Sequence, residues 1–375
     1  MKKLNRFFLL LTVFAFAAYS CSDDEELAEV EQNEVLTAVI TSYTNNTVIE
    51  TYKNMADNAI VLMELIDGFG TGFSDSDMLA AANAWKDTRE YWEKSEAFLF
   101  GPAAFNNLDP MLDSWPLDKD QLDQVLADLQ NGEVDMNAAY VRNNLGASLR
   151  GFHAVEYLLF RDGEARNAAS LDDAEYQYLQ AVAQVLAEDC ITLEAWWAGT
   201  DYITAQKVSI LEDAEIEVGA AFGTEMINAG TAGSRYVSQN AVIEEMVQGA
   251  MDIADEVGNA KIADPVESGN VLDVESWYSW NSLTDFVNNI KSIENAYMSK
   301  LFSENSDTSL SDLVKEESPE LDAEIKENIE LAIAAIENIG HPFRNNLDNT
   351  VATDAATDAC NELFDSLKEI KNLLD

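Results

Sequence analysis

The chain has 375 residues, a length that suggests two domains rather than one. Hydrophobic residues make up 47% and charged residues 24%, so disorder of the whole chain is excluded. With 69 Asp+Glu against 22 Lys+Arg the formal charge is −47, which repels phosphate backbones, argues against a nucleic-acid partner, and attracts cations.

The first segment reads as an address. Met1 to Arg6 is basic, and the apolar run Phe7 to Ala18 spans about twelve residues, too short for a membrane-crossing helix but right for a signal-peptide core. Ala18-Tyr19-Ser20-Cys21 resembles a bacterial lipobox. Residues 1–20 are therefore expected to be a lipoprotein signal peptide, with Cys21 lipidated after cleavage. Residues 21–33, beginning Cys21-Ser22-Asp23-Asp24-Glu25-Glu26, would form an acidic tether to the outer membrane, on its periplasmic or its surface side. Of the three cysteines, Cys190 and Cys360 then remain; in an oxidising envelope they could pair, or stay as buried thiols. Two His cannot build a His₃ zinc site, and no Cys-x-x-Cys occurs.

Beyond the tether almost every long segment has helical period. Apolar residues recur at helical spacing through 34–66 and 77–99, the latter ended by Gly101-Pro102. Further helices are expected over about 119–130, 137–160, 172–198, 205–227, 236–260, 275–303, 319–339 and 352–374. Pro319 sits where a first helical turn favours proline. The fold class is all-α. Helices burying one stripe each pack as bundles, so two tandem four-helix-type bundles are expected, at 34–200 and 201–375, with a groove between them.

The segment Gly151-Phe152-His153-Ala154-Val155-Glu156 carries the most chemistry. On a helix His153 and Glu156 share a face, and an imidazole beside a carboxylate is half of a first-row metal site. Gly151 inside a helix suggests close approach of another backbone or a ligand. Two other blocks stand out. One runs from Trp85 through Arg89-Glu90-Tyr91-Trp92 and Ser95-Glu96-Ala97 to Asp109, Asp113 and Trp115-Pro116. The other runs from Asp255-Glu256-Val257-Gly258-Asn259-Ala260-Lys261 to Glu275-Ser276-Trp277-Tyr278-Ser279-Trp280 and Asp285.

Together with the Gly-x-His-x-x-Glu segment these blocks resemble the imelysin family of bacterial envelope proteins, over nearly all of the chain from residue 34. The resemblance implies two helical bundles with a site in the groove between them. The family includes insulin-cleaving metallopeptidases and is similar to the periplasmic lipoprotein of a ferrous-iron uptake system. By motif, it implies Glu96, Asp113, His153 and Glu156 as metal ligands, with Asp109 as the alternative to Asp113. Ala97 stands where the relative has Pro. Arg89, Trp115, Gly151, Glu275, Ser276, Ser279 and Asp285 become groove-lining or supporting residues.

Three carboxylates and one imidazole form an oxygen-rich set that suits Fe, Mn or Ca better than tetrahedral Zn. No His-Glu-x-x-His occurs, and His341, in Gly340-His341-Pro342, reads as a turn or helix-end residue. The expected function is an envelope lipoprotein that binds a metal ion, iron first, or a metal-bearing ligand, working with an iron-transport system. A metallopeptidase using His153 and Glu156 is the alternative, and a non-metal peptide- or glycan-binding module the third reading.

Overall fold

The computed structural model describes residues 33–70, 72–301 and 308–374. The expected signal peptide, the lipidation site Cys21 and most of the tether lie outside these residues. Eight helices carry the fold among the described residues. We label them α1 (33–67), α2 (Asp75–Glu93), α3 (Gly151–Leu159), α4 (Asp173–Ala198), α5 (Gln239–Asp255), α6 (Ser282–Met298), α7 (Pro319–Glu337) and α8 (Thr350–Leu374). Among the described residues strand is confined to one hairpin of two-residue strands, Phe160–Arg161 against Glu164–Ala165. The chain is all-α.

Helix starts follow side-chain chemistry. Capping boxes open α2 (Ser74 with Asp77) and α4 (Asp172 with Glu175), each satisfying backbone N–H groups that a first turn leaves free. Pro319 occupies the first turn of α7. Two helices carry π-helical stretches: α1 over Tyr43–Ile49, and the continuation of α5 over Glu256–Ala263.

α1 packs against α2 and α4, and α3 against α2 and α4; farther along, α8 packs against α5 and α7, and α6 against α5 and α7. The two sets meet where α6 lies on α2, and where the 3₁₀ turn Glu96–Phe98 wedges between α5 and α6. Gly249 on α5 permits that wedge, because a Cβ there would stand 2.3 Å from the Ala97 carbonyl. One continuous buried core runs from Leu36 to Ile370 through both sets.

Three expected helices are broken. The 137–160 stretch is Ala138–Asn144, a 3₁₀ turn at Ala147–Leu149, and then α3. The interruption falls where Arg150 is extended and Gly151 takes φ 73, the left-handed region that glycine adopts without strain. The 205–227 stretch divides into Ala205–Asp213 and Phe222–Ile227. Residues 275–281 are turns rather than helix, with Ser276 and Trp280 at φ 51 and 60. Cys190, on α4, and Cys360, on α8, are both buried free thiols.

Candidate metal centre

α2 brings Arg89, Trp92 and Glu93 into one buried cluster. Arg89 and Glu93 are one helical turn apart, and Arg89 Nη2 stands 2.7 Å from Glu93 Oε1. The guanidinium also donates to Asp113 Oδ1, to Glu275 Oε1 at 2.8 Å and to Asp285 Oδ2 at 3.3 Å. It is fully enclosed, 5.2 Å above the Phe152 ring. One arginine therefore gathers carboxylates from four separate stretches of chain.

α3 supplies the imidazole. Its first residue, Gly151, is not interior to a helix, but the expected close approach is present: a Cβ there would lie 2.2 Å from the Leu112 carbonyl. This contact seats α3 directly behind Asp113. His153 Nδ1 is 2.9 Å from Glu156 Oε2, and the other oxygen of Glu156 accepts from the Ser279 N–H (2.8 Å) and hydroxyl (2.7 Å). The left-handed Ser276 and Trp280 bracket the loop that delivers Ser279, local strain of the kind that packing must hold in place.

The opposite edge of the ring faces acid. His153 Nε2 lies 3.0 Å from Asp113 Oδ1 and 3.8 Å from Glu275 Oε1. The approach to Asp113 is close but not in line for a hydrogen bond, which leaves Nε2 without a hydrogen-bonding partner among the described residues. The second oxygen of Asp113 accepts from Trp92 Nε1 at 2.6 Å. The Trp115 ring packs edge-on against the imidazole, centroids 4.6 Å apart.

Among the described residues two sets of potential ligands result, each with one donor atom per residue within 4.8 Å of the others: Asp113, His153 and Glu275, and Glu93, Glu96 and Asp113. Asp113 is common to both. Glu156 belongs to neither, because it grips the Nδ1 edge while the carboxylates face Nε2. Of the four ligands expected from sequence, Asp113 and His153 thus stand together and Glu96 reaches Asp113, whereas Glu156 orients the ring from behind. Glu275, expected only to line the groove, stands in one set with Asp113 and His153. Arg89 and Trp115 touch the cluster, and Ser279 holds Glu156. Ser276 is buried in the same loop; Asp285 bonds Arg89 on one oxygen and Asn281 on the other, the latter at 2.6 Å.

Glu93 and Lys261 were not anticipated. The Arg89–Glu93 spacing of one helical turn was the available sign for Glu93. Lys261 sits 3.1 Å from Glu275 Oε2 and 3.8 Å from Glu256. A cavity of about 280 Å³ opens here, lined by Glu96, Asp109, Asp113, Trp115, Lys261 and Glu275, among others.

The charge balance of the cluster is acidic. Six carboxylates (Glu93, Glu96, Asp113, Glu156, Glu275, Asp285) face Arg89, Lys261 and one imidazole. Burial pushes the carboxyls of Glu93 and Glu96 well above the usual range, and that of Asp285 to about 6. Asp109 is driven to about 6 by burial and by the charge of Asp113. Against burial, Arg89 and His153 hold Asp113 well below the usual range, and Lys261 with His153 brings Glu275 to about 2. Burial and Arg89 oppose charge on His153, but Asp113 and Glu156 outweigh them and hold the imidazolium well above its ordinary pKa. The Nε2 edge is thus a place for positive charge between two acids.

The donors fit a hard or borderline divalent cation: one nitrogen, several carboxylate oxygens, and an uncoordinated edge. They do not fit serine hydrolysis. Ser279 gives its hydroxyl to Glu156 rather than to the imidazole, so the Ser–His pair of a serine hydrolase is not formed. His341 lies elsewhere, its Nε2 3.1 Å from the Trp280 carbonyl in a turn.

The Peptidase M75 family model, Imelysin, matches residues 48–370. The chain belongs to the imelysin family. Among its relatives, Iron-regulated protein A of Synechococcus elongatus is 27% identical over 308 residues, covering 82% of this chain and 77% of that protein. A Parabacteroides distasonis crystal structure, described as a candidate iron-regulated protein A precursor, is 34% identical with TM-score 0.79, over 92% of this chain and 96% of that one. An imelysin-like protein from Psychrobacter arcticum shares the fold at TM-score 0.62 and 14% identity, over 91% and 93%.

Proposed function

We propose that this imelysin is an iron-related metal-binding protein of the cell envelope, held at the outer membrane through a lipid on Cys21, which receives or stores the ion for an iron-transport system. One observation carries the reading: His153 Nε2, lacking a hydrogen-bonding partner, is enclosed with Asp113 and Glu275 in a cluster whose acids outnumber its cations. His153, Asp113 and Glu275 would hold the ion, with Glu93 and Glu96 a second group of oxygens on the far side of Asp113. Glu156, fixed by Ser279, would set the ring's orientation, a role that second partners of ligating histidines commonly fill. The names of the Synechococcus and Parabacteroides relatives favour iron over Mn, Zn or Ca.

A metallopeptidase would need a bound water polarised beside a free general base. Both oxygens of Glu156 are already engaged, by His153 and by Ser279, which favours binding without hydrolysis.

The test uses the chain from residue 22 onward, which retains every described residue. Calorimetric titration with Fe(II), Mn(II), Zn(II) and Ca(II) should show a saturable site at micromolar or tighter affinity, lost in His153→Ala. Unchanged affinity in that variant would remove the reading. Chelator-sensitive cleavage of an unfolded protein would replace it with the peptidase.

A further inference from the structure

A second cavity, of about 590 Å³, lies beside the metal centre, on the other side of Trp115, which lines both. Its walls include Trp115, Tyr157, Trp277 and Tyr278, with Arg161 and Lys119 as its cations and Asp162 and Asp273 as its acids. Size and composition are those of a small-molecule pocket, mostly apolar and aromatic with a few placed polar groups. Of the aromatic and basic residues among them, only Trp115 touches the cluster around His153.

Lys119 is ion-paired with Asp123 at 2.5 Å, but Arg161 stands apart from the ion pairing of most other arginines. Seven of the eight arginines lie in the described residues, and five of them are ion-paired: Arg89, Arg142, Arg150, Arg166 and Arg235. Arg161 and Arg344 have no carboxylate within ion-pair distance among the described residues, although acids outnumber bases threefold. Both lie on the rings of this cavity. The Arg161 guanidinium stands 4.1 Å from the Tyr157 centroid and 5.7 Å from that of Tyr278; that of Arg344 stands 4.0 Å from Trp277. Arg161 is held in place through the Tyr157 and Phe160 carbonyls.

A second observation is independent of charge. Trp115 Nε1 and Arg344 Nε are buried donors with no acceptor among the described residues. Neither atom can accept a hydrogen bond; Trp115 lines this cavity, whose occupant can supply an acceptor, whereas Arg344 does not line it. Aromatic walls, an arginine without a carboxylate partner and an unmet indole donor ask for one kind of molecule.

We propose that this cavity binds a small planar aromatic anion, such as an aromatic carboxylate or catecholate. Its ring stacks among Trp115, Tyr157, Trp277 and Tyr278, and its negative oxygens meet Arg161. The inference goes beyond the metal reading and does not depend on it.

Tryptophan fluorescence of the chain from residue 22 is titrated with benzoate and 2,3-dihydroxybenzoate, with chelator present so that metal plays no part. Saturable quenching is expected, at least about tenfold tighter than for benzyl alcohol (ring without charge) or acetate (charge without ring), as one charge-assisted hydrogen bond implies. Arg161→Gln should weaken the aromatic anions about tenfold while leaving benzyl alcohol unchanged, and Arg161→Lys should recover part of the loss. Trp115→Phe, which keeps an aromatic ring and removes the N–H, should weaken them several-fold without disturbing the fold. No saturable binding overturns the proposal. So does equal affinity for benzyl alcohol, tighter binding of a neutral maltooligosaccharide, or undiminished affinity in both folded variants.

Discussion

Arg89 and His153 address the same atom, Oδ1 of Asp113: the guanidinium donates to it, and the imidazole Nε2 stands 3.0 Å away. A permanent cation and a titratable one thus share one carboxylate. Arg89 compensates the acids whatever the state of the site, and the histidine edge is where charge can vary.

The first prediction concerns Arg89. Replacing it with Met leaves Glu93, Asp113, Glu275 and Asp285 short of their common partner in an enclosed site. Removing one member of a buried ion network costs about 3–5 kcal/mol. Arg89→Met should therefore unfold at markedly lower urea than wild type. The loss should be larger at pH 8 than at pH 5, because acids left without Arg89 can neutralise themselves only by taking protons. An equal loss at both pH values would mean that packing on Phe152, not charge, is what Arg89 supplies.

His153 and Glu156 should behave differently although they lie three residues apart. His153→Ala removes the nitrogen donor and should abolish transition-metal binding. Glu156→Gln keeps a group near Nδ1 but removes the carboxylate that orients the ring, and should weaken binding by roughly 10- to 100-fold, the usual effect of a second partner. Calorimetry on both variants separates the roles. Equal abolition by the two would make Glu156 a ligand.

Gly151→Ala probes how α3 is seated. The new Cβ would meet the Leu112 carbonyl at 2.2 Å, and φ 73 is strained for any residue bearing one. The combined cost should be at least about 2 kcal/mol. A Tm drop of roughly 5 °C or more is expected. Since Leu112 immediately precedes Asp113, metal affinity should fall too, although no ligand has been changed. A wild-type Tm would show that α3 can shift freely, against the close backbone approach described.

Much of this was legible in the sequence, for physical reasons. The all-α class follows from periodicity, which burial enforces over many residues. Arg89 with Glu93, and His153 with Glu156, are neighbours by helical spacing alone. The turn at 275–281 was not legible: Glu275, Ser276, Ser279 and Ser282 fall near helical spacing, yet left-handed Ser276 and Trp280 bend the chain so that Ser279 reaches Glu156. Nor could spacing tell which edge of the imidazole each acid faces. Glu156 takes Nδ1 because it shares α3 with His153. Glu275 takes the Nε2 side because Arg89 and Lys261 hold it there from two other helical segments.

The last prediction is the pH dependence of the metal-free fold. Burial raises Asp285 to about 6, with Arg89 only partly offsetting it, and burial with Asp113 raises Asp109 to about 6; Glu93 and Glu96 are pushed up by burial too. An acid raised in the folded state keeps its proton where the unfolded chain has already lost it. Its contribution is fully present below about pH 4 and is lost as pH climbs through the folded value. His153 works in the same direction: its contribution is present below about 6.5 and declines as pH rises through the higher folded value. Glu275, lowered to about 2, and Asp113 act oppositely, contributing above about 4.5 and failing as pH falls toward 2. The sum places maximal stability on the acid side of neutrality, and self-repulsion from a formal charge of −47 adds to the decline above it. Chelator-treated protein should show a higher urea midpoint at pH 5 than at pH 8. Asp285→Asn, which carries the neutral form at every pH, should narrow that gap. A midpoint that rises from pH 5 to pH 8 would mean the cluster's acids are paid in full by Arg89 and Lys261, leaving no surplus of negative charge to attract a metal ion.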